Sequence, residues 1–171
     1  MILSSEDLLM VVDCENVFKS ARCIYGNDVR VDYQKLKDLI LTSYPGKLVH
    51  KYAYVAIKPD QFTQIDLLAS LANLEYTVKS FLCSYDKDSA KLIKSDDYFS
   101  YIEYETLAFR HQECFPSTVV VVCGSNRLIP MYRSLTYMGI TVEVFGIIGS
   151  VSSHILGVNK HFLDEKILAV S

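Results

Sequence analysis

The amino-acid sequence predicts an α/β protein built on a doubly wound parallel sheet of about five to six strands, with helices on both faces. Three observations predict it. Short β-rich runs alternate with longer helical ones along the whole chain. The run Val119–Val122 is four consecutive valines, the composition demanded of a strand covered on both faces. No internal repeat, low-complexity tract or Pro/Gly-rich linker interrupts the 171 residues, so 1–171 reads as one domain, long enough to close a hydrophobic core.

The elements follow in order. Leu8–Val12 is a continuous apolar strand ending at Asp13. Asn16–Ile24 reads as a helix and Tyr33–Ser43 as a second, with Leu36, Leu39 and Ile40 on one side. Leu48–Ala56 reads as a strand, stopped by Pro59. Gln61–Leu74 is an amphipathic helix through Ile65, Leu68, Ala69 and Ala72, and Tyr76–Leu82 is the third strand. Ser95–His111 is helical and rich in aromatic residues. Thr118–Cys123 carries the valines, Arg127–Met138 is a helix, and Ile140–Phe145 is a strand after Gly139. Gly146–Gly157 lacks the spacing of a phosphate-binding glycine loop and reads as a connection. Ser152–Val170 holds a short helix and a last strand or helix.

Composition narrows the function classes. Apolar residues are 50% and charged residues 22% of the chain, which excludes a disordered segment. The net charge of −3 argues against sequence-independent coating of nucleic acid, because each phosphate contact needs a cation. The five cysteines are odd in number with no C-x-x-C pair, and the four histidines are scattered. That pattern implies free thiols in a reducing compartment and no zinc site. No apolar run approaches the ~20 residues that span a bilayer. The first ten residues lack a basic start and include Glu6 and Asp7. A cytoplasmic protein with no membrane partner is therefore expected.

Doubly wound sheets take ligands outside the carboxyl ends of their strands, where the strand order reverses. Two strand ends matter for that reason: Asp13 in V-V-D-C-E-N-V, and Gly124–Arg127 after the valines. A carboxylate at the tip of a buried strand is well placed to bind a metal, and Asn16 could orient Asp13 or contact phosphate. An isolated D-x-x-N would more simply be a helix cap.

The V-V-D-C-E-N start resembles the opening motif of NYN domains, a branch of the PIN-like nuclease fold. The stretch K-S-D-D-Y-F-S-Y-I-E, Lys94 to Glu103, resembles that family's Lys-x-x-Asp helix start. The segment V-V-V-V-C-G-S-N-R-L-I-P-M-Y-R-S-L-T-Y-M-G-I-T-V-E-V-F-G resembles its strand, Gly-Asp-x-Asp-Phe turn, helix and following Gly-x-x-Val strand. The run S-S-H-I-L-G-V-N-K-H-F resembles its closing segment. The resemblance implies a Rossmann-like sheet and metal-dependent RNA cleavage. Asp13 and Asp97 would be the catalytic, Mg²⁺- or Mn²⁺-binding acids. Asn16, Lys94, Ser125, Asn126 and Arg127 would lie along the substrate path, with Glu15, Asp96 and Glu103 as further acids near the site.

The chain departs from that pattern at its third motif. Ser125 and Arg127 stand where the family has two aspartates, and Lys160 stands where it has an aspartate before Phe162. Two carboxylates can hold one hydrated Mg²⁺ weakly. An inward Arg127 would repel such a cation by about 4 kcal/mol at ~4 Å and an effective dielectric near 20. It would instead pair with Asp13 or Asp97, or bind phosphate.

The expectation is a cleavage-impaired domain that binds RNA or a protein partner, or forms a homodimer. The alternative is an active Mg²⁺/Mn²⁺-dependent endoribonuclease using Asp13 and Asp97. Tyr98, Phe99, Tyr101 and Tyr104 cluster on one helix and could mark a dimer surface.

Overall fold

Strand β1 (Leu8–Asp13) runs straight into helix α1 (Cys14–Tyr25), and helix α2 (Tyr33–Leu41) follows. Strand β2 (Val49–Ile57), helix α3 (Thr63–Asn73) and strand β3 (Thr77–Leu82) come next. A small hairpin, β4 (Ser84–Asp86) with β5 (Lys91–Ile93), precedes helix α4 (Asp96–Ala108). Strand β6 (Thr118–Val122), helix α5 (Ile129–Tyr137), strand β7 (Thr141–Ile147) and strand β8 (Asn159–Leu163) complete the framework. This computed structural model describes residues 7–45, 49–58, 63–86, 88, 91–93, 96–108 and 116–169.

The main sheet has six strands in the order β3-β2-β1-β6-β7-β8, every neighbouring pair parallel. The chain builds outward from β1 through β2 to β3, then returns across the sheet to start β6 on the other side of β1. The order therefore reverses between β1 and β6, with Val12 opposite Val122 in register. Asp13 lies one residue beyond Val12 and Gly124 two beyond Val122, so both stand at this switch point.

Alternation along the strands divides the core in two. Leu9, Val11, Tyr54, Val119 and Val121 face α4 and α5, whose Tyr98, Ile102, Met131 and Leu135 join the same cluster. Leu8, Met10, Val12, Val120 and Val122 face the opposite layer, with Val17 and Ala21 of α1, Leu36 and Ile40 of α2, and Leu71 of α3. All six β1 residues and all five β6 residues are buried, as a doubly covered strand requires.

Several boundaries differ from the sequence reading, each for a local reason. Helix α1 starts at Cys14 rather than Asn16, because the Asp13 side chain caps it and no loop intervenes. The helix expected from Arg127 opens as a 3₁₀ turn over Asn126–Leu128, capped by Ser125, and becomes α-helical only at Ile129 ahead of Pro130. Gly139, at φ 79°, makes the left-handed turn that sends the chain from α5 into β7. The hairpin β4–β5 was not foreseen, because three-residue strands carry too little periodicity to read. In the tail, β8 is followed by a 3₁₀ turn at Glu165–Ile167 capped by Asp164.

The aromatic cluster of α4 is a correction. Tyr98 is fully buried and Phe99 nearly so, and both pack in the core with Phe81 and Tyr101. Tyr104 alone of the four is a large exposed hydrophobic. Most of this cluster packs into the interior rather than standing outward as the expected dimer surface would.

Candidate functional site

Asp13 makes several contacts among the described residues. Its Oδ1 accepts the Asn16 backbone N–H at 3.1 Å, which caps α1. The same oxygen accepts the Tyr98 hydroxyl at 2.9 Å. Its Oδ2 lies 3.7 Å from the Cys123 thiol. The residue is 1% exposed, so these contacts sit in the protein interior. Burial, reinforced by Asp13 itself, pushes the Tyr98 phenol far above its ordinary range and keeps it a neutral donor.

Asn16 reaches across the switch point. Its Oδ1 accepts the Gly124 N–H at 2.9 Å, tying the start of α1 to the end of β6. The loop after β7 then closes over that turn. Ser152 N–H donates to the Gly124 carbonyl at 2.9 Å. A Cβ at Gly124 would stand 2.9 Å from the Ser150 carbonyl oxygen, and one at Gly146 would stand 2.5 Å from Val151 Cγ2. Two glycines thus let the loop lie directly on the strand ends.

The other expected site residues are more dispersed. Asp97 is exposed in the first turn of α4, with no hydrogen bond or ion pair among the described residues. Ser125 caps the 3₁₀ turn by accepting the Arg127 N–H at 3.2 Å. Asn126 begins that turn and is exposed. Arg127 holds its guanidinium carbon 5.2 Å from the centre of the Phe99 ring, so it leans toward α4. Glu15 pairs with Lys19 at 2.5 Å on the surface of α1. Glu103 is half-buried on α4. Lys94 and the Asp96 side chain lie outside the described residues.

These residues do not fit a resident divalent cation. Mg²⁺ demands a near-octahedral oxygen shell and retains several waters. Asp13 is sealed from solvent with its oxygens committed to protein donors, and the adjoining turn offers a serine and an arginine. Among the described residues, no group of three or more His, Cys, Asp or Glu side chains could hold a metal.

Sequence reasoning missed Tyr98 and Cys123 as the partners of Asp13. The signal was adjacency: Tyr98 follows Asp97 in the Lys-x-x-Asp stretch, and Cys123 closes the valine strand. It also missed a cleft of about 1210 Å³ beside the β1 tip, between α1 and α3. Its walls include Phe18, Lys19, Arg22, Arg30 and Lys58, with Tyr33 deeper in. Arg22 lies over the Phe18 ring at 5.3 Å. The Tyr33 hydroxyl donates to the Cys14 carbonyl at 3.2 Å, and burial holds its pKa well above the ordinary phenol range.

Comparison with known proteins agrees with this architecture. The crystal structure of a protein of unknown function from Vibrio parahaemolyticus superposes with a TM-score of 0.74, covering 96% of each chain at 18% identity. That identity establishes a shared fold alone. No curated protein sequence matches the chain. No described helix is long and apolar enough to cross a membrane. The family model for the NYN domain matches residues 8–167, so the chain belongs to the NYN domain family, a PIN-like nuclease family.

Proposed function

We propose that this chain is a cleavage-impaired NYN domain that binds RNA without cutting it. The observation that carries the reading is the state of Asp13. Its carboxyl is buried and accepts from Asn16 and Tyr98, where a working metal ligand would face the crevice with open lone pairs. The Ser125 and Arg127 turn supports the same reading, since it offers a phosphate contact in place of two acids.

The cleft beside β1 supplies the contact surface in this proposal. Arg22 and Arg30 would meet phosphates, and Phe18, 37% exposed, would offer a ring for a base. The cleft sets Lys19, Arg22, Arg30 and Lys58 against Glu15, Asp32 and Asp66, a small positive excess in a chain of net charge −3. The free thiols of Cys14, Cys23, Cys83 and Cys123 are consistent with work in a reducing, cytoplasmic setting. The alternative, a one-metal endoribonuclease on Asp13 and Asp97, requires Asp13 first to give up Tyr98 and Asn16.

Fluorescence anisotropy with labelled single-stranded RNA tests the proposal. Wild type should bind with a salt-dependent affinity. Arg22→Ala with Arg30→Ala should weaken binding and flatten the slope of log K against log salt by about 0.7 per lost phosphate contact. Absence of any salt-dependent binding would reject the RNA reading and leave a protein-binding role.

A further inference from the structure

Strand β8 forms one border of the main sheet and pairs, among the described residues, with β7 alone. Its first four residues are exposed, including Phe162 at 60%. Long exposed edges invite pairing, and proteins usually blunt them with charge, proline or a bulge. Here the blunting device is a single residue, Lys160, which has no hydrogen bond or ion pair among the described residues.

The backbone of β8 shows which residues could pair outward. Ile148 N–H donates to the Leu163 carbonyl at 2.9 Å, so Leu163 directs its polar groups toward β7. In a strand the N–H and C=O of one residue point to the same side, and those of the next residue to the other. Leu163, His161 and Asn159 therefore serve β7, while Lys160 and Phe162 present their N–H and C=O to the open edge. Asp164 continues the alternation with extended backbone, φ −107° and ψ −169°.

We propose that β8 pairs antiparallel with β8 of a second copy of this chain, with Phe162 opposite Phe162 and Lys160 opposite Asp164. The outward groups match at Lys160, Phe162 and the Asp164 N–H, while the Asp164 carbonyl is shared with the Ile167 N–H at 3.4 Å in the turn that follows. Each opposed pair is then of the hydrogen-bonded kind. Side chains match as well: residues two apart share a face, so the phenylalanines meet between two Lys–Asp pairs. The contact is isologous, as a twofold axis requires.

Charge selects this register over its neighbours. Centring the axis on Lys160 opposes two lysines, and centring it on Asp164 opposes two aspartates. Centring it on His161 or Leu163 aligns residues whose polar groups already serve β7. The Lys166 backbone N–H holds the Asp164 carboxyl below the usual range, and its Oδ2 lies 3.4 Å from Lys166 Nζ, an exposed pair that Lys160 of the second copy would share or displace. The result is two six-stranded sheets joined into one.

Sedimentation velocity over a range of protein concentrations reads the assembly directly. Wild type should form a dimer. Lys160→Asp places two aspartates opposite two others, and Asp164→Lys does the same with lysines, so each variant alone should dissociate roughly tenfold or more readily. Mixed together, the two variants should form a heterodimer, because every aspartate then faces a lysine. Circular dichroism confirms that each variant is folded. A monomeric wild type at the highest concentration, a Lys160→Asp protein that dimerises like wild type, or folded variants that stay apart when mixed would overturn the proposal.

Discussion

The Tyr98 hydroxyl donates to Asp13 Oδ1 at 2.9 Å, joining helix α4 to the tip of β1 across 85 positions of sequence. This bond fastens the two elements that carry Asp13 and Asp97, and it occupies one oxygen of Asp13. Tyr98→Phe removes the donor while preserving the ring and its edge contacts with Phe81 and Phe99. Urea denaturation should show a loss of about 1–3 kcal/mol, the cost of leaving a buried polar group short of a partner.

Asp13 variants separate its structural duties. Asparagine caps helices nearly as well as aspartate and can still accept from Tyr98. Alanine loses the cap, about 1 kcal/mol, and leaves the Tyr98 hydroxyl unsatisfied at about 1–3 kcal/mol more. Asp13→Ala should therefore be the less stable of the two in the same denaturation assay.

Gly124→Ala should destabilise the protein by about 1–3 kcal/mol, the usual range for overpacking. The new Cβ meets the Ser150 carbonyl oxygen at 2.9 Å and Val151 Cα at 3.3 Å, and backbone cannot rotate away. Gly146→Ala meets a side-chain methyl of Val151, which can turn, so its melting temperature should fall less.

Alkaline pH should unfold the protein cooperatively. Burial raises the phenols of Tyr33, Tyr54, Tyr76 and Tyr98, and that of Tyr44 to about 12, helped by Glu143. A raised folded-state pKa contributes stability that is complete below the unfolded value near 10 and is lost as pH climbs toward the folded value. Each such tyrosine steepens the decline by up to about 1.4 kcal/mol per pH unit. The share of tyrosinate absorbance that belongs to these buried phenols should appear together with loss of helical circular dichroism above pH ~10, rather than before it.

Much of this architecture was legible in the residues. The valines of β6 and the apolar β1 announced a doubly covered sheet, and Asp13 announced the switch point, because burial and strand termini leave strong one-dimensional patterns. The partners of Asp13 were not legible. Tyr98 and Cys123 lie 85 and 110 positions away, and no periodicity records which side chain a carboxyl will meet across a core. Strand β8 was only half legible, since N-K-H-F-L is an edge strand with polar residues where a central strand would carry valines. The hairpin β4–β5 left no pattern at all, because strands of three residues carry too little periodicity to read.

Cleavage of labelled single-stranded and structured RNA with Mn²⁺ or Mg²⁺ tests the central claim most directly. Wild type would be run beside Asp13→Asn and the paired reversion Ser125→Asp with Arg127→Asp, each checked for folding. An impaired site predicts no divalent-dependent cleavage by the wild type. Wild-type cleavage that requires the metal and disappears in folded Asp13→Asn would contradict it, and would mean that Asp13 leaves Tyr98 to bind metal when RNA arrives.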